Sequence, residues 1–224
     1  MSTPNTQPNN SLRLVRFCTL AGVDTAHLEG GLIVGQFKKE LRDFCGPRTG
    51  TLIEHFVNWQ NDADSWLRFT RRYGPLWEVA TQGATFRVET KQFREVQEGF
   101  QKQWRDKKRS GWQLGNCPVT LTHLSGKTAL RVSNLHWFLF LDLVTQDPKR
   151  LKVCERPDCS NPFFVTPHLG QLYCGSICSA WAQKQWKKKW WGEHGEDWRS
   201  KQQQHEQSED KNGKRQSSKR NKIK

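Results

Sequence analysis

Four of the chain's seven cysteines stand close together, as Cys154-x4-Cys159-x14-Cys174-x3-Cys178. Thiolates are soft ligands. Two close pairs separated by a short hairpin suit a tetrahedral Zn²⁺, because each pair comes from a tight turn and the intervening strands fold the pairs together. The spacing holds no Cys-x-x-Cys redox pair, and an iron–sulfur cluster is the other chemistry that four thiolates serve. A shell filled by four sulfurs leaves no position for water, so the expected role is structural: one Zn²⁺ that contributes folding energy. The other cysteines, Cys18, Cys45 and Cys117, stand singly among apolar residues. They read as buried thiols of a reducing compartment rather than as the framework of a small secreted domain.

The elements that must position the four ligands follow from the residues between them. Phe163-Phe164-Val165 and Gln171-Leu172-Tyr173 are expected as two short strands, joined by a turn at Pro167-His168-Leu169-Gly170. Cys174 then ends the second strand, Ser176 is placed to cap a helix, and Cys178 falls in that helix's first turn. Knuckle, hairpin and helix describe a treble-clef-like finger over residues 151–192. His168 is the one spare ligand type in the loop, read as a solvated turn residue.

The finger's helix reads SAWAQKQWKKKWWGEHG. Lys184, Lys187 and Lys188 share one broad side, while Ala182, Trp186 and Lys189 follow Cys178 along a packed one. Trp181, Trp190 and Trp191 are expected to pack on the hairpin or the core. Lys184, Lys187, Lys188 and Lys189 are the candidate contacts to phosphate oxygens, which give salt-dependent affinity without base readout. The alternative is that they only solvate an outer face. Charge favours the first. The chain has 36 Lys and Arg against 22 Asp and Glu, a net +14 that suits a polyanionic partner, DNA being favoured. Residues 179–224 hold 13 of the cations and 6 of the acids, so half the net charge sits in about a fifth of the chain.

Ahead of the finger, residues 12–150 read as one mostly helical domain. Leu52, Phe56, Trp59, Trp66, Phe69 and Tyr73 recur at helical spacing from Thr51 to Tyr73, where Gly74-Pro75 stops the run; Asp62 and Asp64 read as acids at a helix start. Phe93, Val96, Phe100 and Trp104 mark a second amphipathic helix. These aromatic stripes are assigned to the core. PVTLTHLSGKTALRV, 118–132, alternates around Ser125-Gly126 as a β-hairpin, and Gly30-Gly31 reads as a turn. Leu135 to Val144 is apolar nearly all round, so a buried helix capped by Ser133 or Asn134 is expected there. The fold class is therefore α+β. Hydrophobic residues are 34% of the chain, below the usual roughly 45–50%, and the polar ends 1–11 and 193–224 are expected to be disordered, the latter as a basic tail.

The buried helix LHWFLFLDLVTQD, the join RLKVCERPDCSNPFF and the pair YCGSIC before a basic helix together resemble the bacterial CGNR-type zinc finger proteins, in which an ABATE-like helical domain precedes the finger. The resemblance implies zinc ligation by Cys154, Cys159, Cys174 and Cys178, DNA binding in transcription control, and a bacterial cytoplasmic setting. Where the family signature has Gly-Asn-Arg, this chain has Ser179-Ala180-Trp181, so the roles of the signature Asn and Arg are not carried over.

No G-x-S-x-G, H-E-x-x-H, Walker loop or G-x-G-x-x-G occurs, and the seven histidines are isolated in sequence. The expected function is thus a binder and not an enzyme, with the helical domain dimerising or sensing a small-molecule effector. The alternative is a zinc-stabilised protein-interaction module. No segment reads as a signal peptide or a membrane span.

Overall fold

A computed structural model describes residues 15–44, 51–77, 83–106, 119–124 and 127–220. The first of these segments is a long antiparallel hairpin of β1 (Val15–Glu29) and β2 (Leu32–Phe44). Gly30 and Gly31 form its turn with φ of 57° and 86°, the left-handed pair that a two-residue hairpin loop needs in order to match strand twist. The glycine pair is the turn that the sequence suggests. The strands around it correct the expectation of a mostly helical domain: Ile33, Gly35 and Phe37 alternate as buried positions, while Lys38, Lys39 and Glu40 are exposed. Only part of one face is apolar, so pairing with neighbouring strands stabilises this segment more than its own pattern advertises.

β3 (Thr85–Glu89) pairs with β2 and buries Phe86 and Val88 on alternate positions. β4 (Val119–Leu124) and β5 (Lys127–Val132) form the expected hairpin, in register from Val119↔Val132 to Leu124↔Lys127. The sheet order is β3-β2-β1-β5-β4, with β1 and β5 parallel and the other neighbours antiparallel. The turn at Ser125-Gly126, the segment 1–11, Cys45, Cys117 and the side chain of Cys18 lie outside the described residues.

The run from Thr51 to Tyr73 is two helices, α1 (Leu52–Val57) and α2 (Ala63–Tyr73). Asp62 separates them. Its carboxylate accepts from Ser65 N at 2.8 Å and from the Ser65 hydroxyl at 2.7 Å, and these bonds hold its pKa below the ordinary value. Such a cap starts a new helix instead of continuing an old one. Gly74 closes α2, its N–H donating to Thr70 O.

α3 (Thr90–Asp106) buries Phe93, Phe100 and Trp104; α4 (Leu135–Val144), capped by Asn134 accepting from Trp137 N, buries Leu135, Phe138, Leu139, Leu141 and Leu143. The aromatic stripes are core, as expected: Phe56, Trp66, Phe69 and Phe93 contact one another with ring centroids 5.1–6.0 Å apart. α5 (Ser176–Arg220) runs through residues 193–220, which the sequence reading gives to a disordered tail. The correction has a local cause. Gln, Lys, Glu and Arg dominate this stretch, and they are good helix formers even when they bury nothing.

The chain divides into two compact units. One comprises the five-stranded sheet, α1–α4 and the segment through Cys174; the other comprises α5 and the turn Arg156–Asp158.

Candidate metal centre

After a single turn of 3₁₀ helix at Pro148–Arg150, β6 (Leu151–Val153) pairs antiparallel with β7 (Phe163–Val165), Leu151↔Val165 and Val153↔Phe163. Leu151, Phe163 and Phe164 are buried. The strand expected at Phe163–Val165 is present, but its partner is Leu151–Val153 and not Gln171–Tyr173, which is irregular. The cause is the short knuckle. Cys154 N donates to Pro162 O at 2.7 Å and Thr166 N to Arg150 O at 2.9 Å, so the ladder continues past both ends of the pair. Leu172 O instead accepts from Glu155 N at 3.1 Å.

Thr166, fully buried, shapes the return towards Cys174. Its hydroxyl accepts from His168 N at 3.0 Å, and Gln171 N donates to His168 O at 3.0 Å. His168 itself is exposed, as a solvated turn residue should be. Cys178 is the third residue of α5. Ser179 N donates to Gly175 O, which makes Gly175 the residue before the helix and moves Ser176 from the expected cap into its first position.

These turns bring four sulfurs together. The Sγ atoms of Cys154, Cys159, Cys174 and Cys178 all lie within 4.8 Å of one another, and Cys159 Sγ is 3.5 Å from Cys174 Sγ. A disulfide needs about 2.0 Å between sulfurs. Four sulfurs at about 2.3 Å from a tetrahedral Zn²⁺ stand about 3.8 Å apart, so the group fits a metal of that size with a small adjustment. Cys154 and Cys178 are buried, Cys159 and Cys174 half-buried. Four Cys close together can hold one metal ion, and the donor set is that of a closed structural site, with no position left for a reacting water. Bound there, Zn²⁺ would supply cross-linking and not Lewis-acid chemistry.

Four thiolates around a divalent ion carry excess negative charge. Arg156 meets it. Its guanidinium nitrogen lies 4.0 Å from Cys178 Sγ, its Nε is buried with no hydrogen-bond partner, and the guanidinium stands 6.0 Å from the Trp181 ring. A cation held there would offset part of the negative charge that four thiolates bring to the site.

Sequence reasoning missed the residues that hold the β6–β7 hairpin in place. Asn58 Oδ1 accepts from Phe163 N at 3.0 Å and Asn58 Nδ2 donates to Phe163 O at 2.6 Å, while Glu54 Oε1 accepts from Val165 N at 2.6 Å. A side chain of α1 and that of its C-cap, Asn58, thus satisfy the outer edge of β7 at alternate residues, as another strand would. The second Glu54 oxygen accepts from Thr51 N at 2.7 Å in a capping box. Thr51-x-x-Glu54 is the spacing that signals such a box, so half of the arrangement was open to reading. Gln97 supports the same helix from α3, donating to Phe56 O and Trp59 O.

On α5, Lys184, Lys187, Lys188 and Lys189 are all exposed. Lys189 Nζ is 3.9 Å from Glu193, which sets it apart from the other three. Trp186 is 65% exposed, a correction to the packed side expected through Ala182 and Trp186. No Leu, Ile, Val or Met follows Cys178 on the helix, so the indole has no large aliphatic neighbour on that stretch of α5. Trp190 is half-buried against His194, and Trp191 is exposed.

Comparison with protein-family models, with curated proteins and with solved structures gives no match. No helix among the described residues is long and apolar enough to cross a membrane.

Proposed function

We propose that the chain binds one structural Zn²⁺ through Cys154, Cys159, Cys174 and Cys178 in a treble-clef-like finger, and that α5 binds nucleic acid, DNA foremost. The observation that carries the metal reading is the gathering of four sulfurs within 4.8 Å. Two ligands flank the knuckle after β6 and two stand at the start of a helix, the order that a treble clef requires. The nucleic-acid reading is supported by the exposed Lys184, Lys187 and Lys188 and by a segment from Ser179 to Gly192 that has no acid. The resemblance to CGNR-type fingers adds transcription control as the setting, and a closed thiolate shell favours a binder over a catalyst.

The test combines metal content with binding. Protein purified without chelator should carry one zinc per chain, and well under one equivalent of any metal would count against the site. Titration of labelled DNA should show affinity falling steeply with salt, and Lys187→Glu with Lys188→Glu should weaken it by about tenfold or more at low salt. A salt-independent or absent response would sink the nucleic-acid reading and leave the protein-interaction alternative.

A further inference from the structure

Helix α5 gathers five of the chain's eleven tryptophans, yet from Ser179 to Arg220 it has no Leu, Ile, Val, Met, Phe or Tyr. Tryptophan is common at protein interfaces, but here it comes without the Leu, Ile, Val or Met that would complete an apolar core for a protein partner. They also lack the continuous apolar stripe by which an amphipathic helix enters a lipid interface.

Their placement is ordered nonetheless. Trp191 stands seven residues after Lys184 and four after Lys187, and Trp198 seven after Trp191, so rings and ammonium groups share one side of the helix with Lys188 beside them. Trp191 and Trp198 are 47% and 45% exposed and meet edge to face, ring centroids 5.3 Å apart at 87°. Gly195 seats the Trp191 ring. It is buried although the residues on either side are exposed, and a Cβ there would come within 3.1 Å of Trp191 Cε3. Glycine weakens an exposed helix, and here its missing side chain leaves room for the Trp191 indole, which a Cβ would push back by a few tenths of an ångström.

We propose that this side of α5 binds a single-stranded polynucleotide, with bases stacking on Trp191 and Trp198 and phosphates meeting Lys184, Lys187 and Lys188. The inference rests on α5 as a nucleic-acid contact and narrows it. Exposed indole faces serve a strand whose bases are unstacked, whereas a duplex keeps its base faces covered and offers phosphates and groove edges. Charge complementarity selects the polyanion, since Lys189, the lysine paired with Glu193, stands apart from this side. Contacts to phosphates and base faces do not read the 2′-hydroxyl, so deoxy and ribo strands bind alike.

The test is fluorescence anisotropy on the full, zinc-loaded chain with labelled oligo(dT) of about 20 nucleotides, the matching oligo(U), and a duplex of equal length. Both single strands should bind about tenfold or more tighter than the duplex. Trp191→Ala with Trp198→Ala should weaken single-strand binding roughly tenfold or more and leave duplex binding unchanged, while the two Trp→Phe replacements, which keep a ring, should retain most of it. Circular dichroism of each variant checks that α5 persists. Equal affinity for duplex and single strand, or no loss when both rings go, would overturn the inference and leave the wider reading standing. A preference of more than about tenfold for one sugar would also overturn it, as would tighter binding to phosphatidylserine vesicles than to oligo(dT). If no probe binds and Lys187→Glu with Lys188→Glu changes nothing, the wider reading itself fails.

Discussion

The most buried and the most exposed tryptophans stand in different units, although Trp77 of the first is itself 42% exposed. In the first, Trp66 and Trp104 are 1% and 0% exposed; in α5, Trp186, Trp191 and Trp198 are 65%, 47% and 45% exposed. The residue type is the same, so its neighbours decide. Trp66 and Trp104 recur at helical spacing with Phe and Leu and have aromatic faces to fill, whereas the indoles of α5 stand among Lys, Gln and Glu, and Trp190, Trp191 and Trp198 have one another and His194 as ring partners. An aromatic stripe buries when it has apolar company to bury with.

The comparison breaks most visibly at Trp104. Its ring is fully buried and meets the Phe163 ring edge to face at 6.0 Å, and its Nε1 donates at 2.9 Å to the O of Lys152, in β6 of the hairpin that carries the first cysteines. Trp104→Ala should cost about 3–5 kcal/mol in urea unfolding, from the cavity and from an orphaned carbonyl. A loss below about 1 kcal/mol would mean that this tryptophan is no more core than those of α5.

A second contrast lies in two tryptophan–histidine stacks. His136 lies 3.6 Å from the Trp77 ring and is mostly buried, its Nδ1 without a hydrogen-bond partner; His194 stacks on Trp190 at 5.3 Å and is exposed, Nδ1 3.2 Å from Trp190 O. Burial lowers the His136 pKa from 6.5 to about 4. The folded chain keeps this ring neutral down to about pH 4, while the unfolded chain protonates it near 6.5. Stability is therefore fully present above 6.5 and falls as the pH drops towards 4, by up to about 3 kcal/mol. Any metal held by the four cysteines would be lost in acid from wild type and variant alike, so the readout is the difference between wild type and His136→Phe. That difference should shift by about this amount between pH 7 and pH 4, and a constant difference would remove His136 from the account.

What the sequence disclosed follows the same division. Caps and dense apolar periodicity were legible: Gly74 after α2, Asn134 before α4, the core positions Phe93, Phe100 and Trp104, and the cysteine spacing. β1 and β2 were not, because their stability comes from partners far along the chain, Val15 pairing with Ala129 and Leu32 with Glu89. The partner of β7 was misassigned for a related reason. Phe163–Val165 can pair with either flank by composition, and the choice of Leu151–Val153 depends on the knuckle and on Asn58 and Glu54, more than a hundred residues away. Polar helix beyond residue 193 has no periodicity to read at all.

The smallest effect is expected at Trp198, and it tests the contrast from the other side. Trp198→Ala removes one edge-to-face contact with Trp191 and about half of an indole's burial, a loss of about 0.5–1 kcal/mol for an exposed pair. Alanine is also the better helix former, by about 0.5 kcal/mol at such a position. The two terms oppose, so urea unfolding should change by less than about 0.5 kcal/mol, against several for Trp104→Ala. A Trp198→Ala loss of more than about 2 kcal/mol would show the indole filling a core. The exposed tryptophans would then be structural, and the difference between the two units would lie in charge alone.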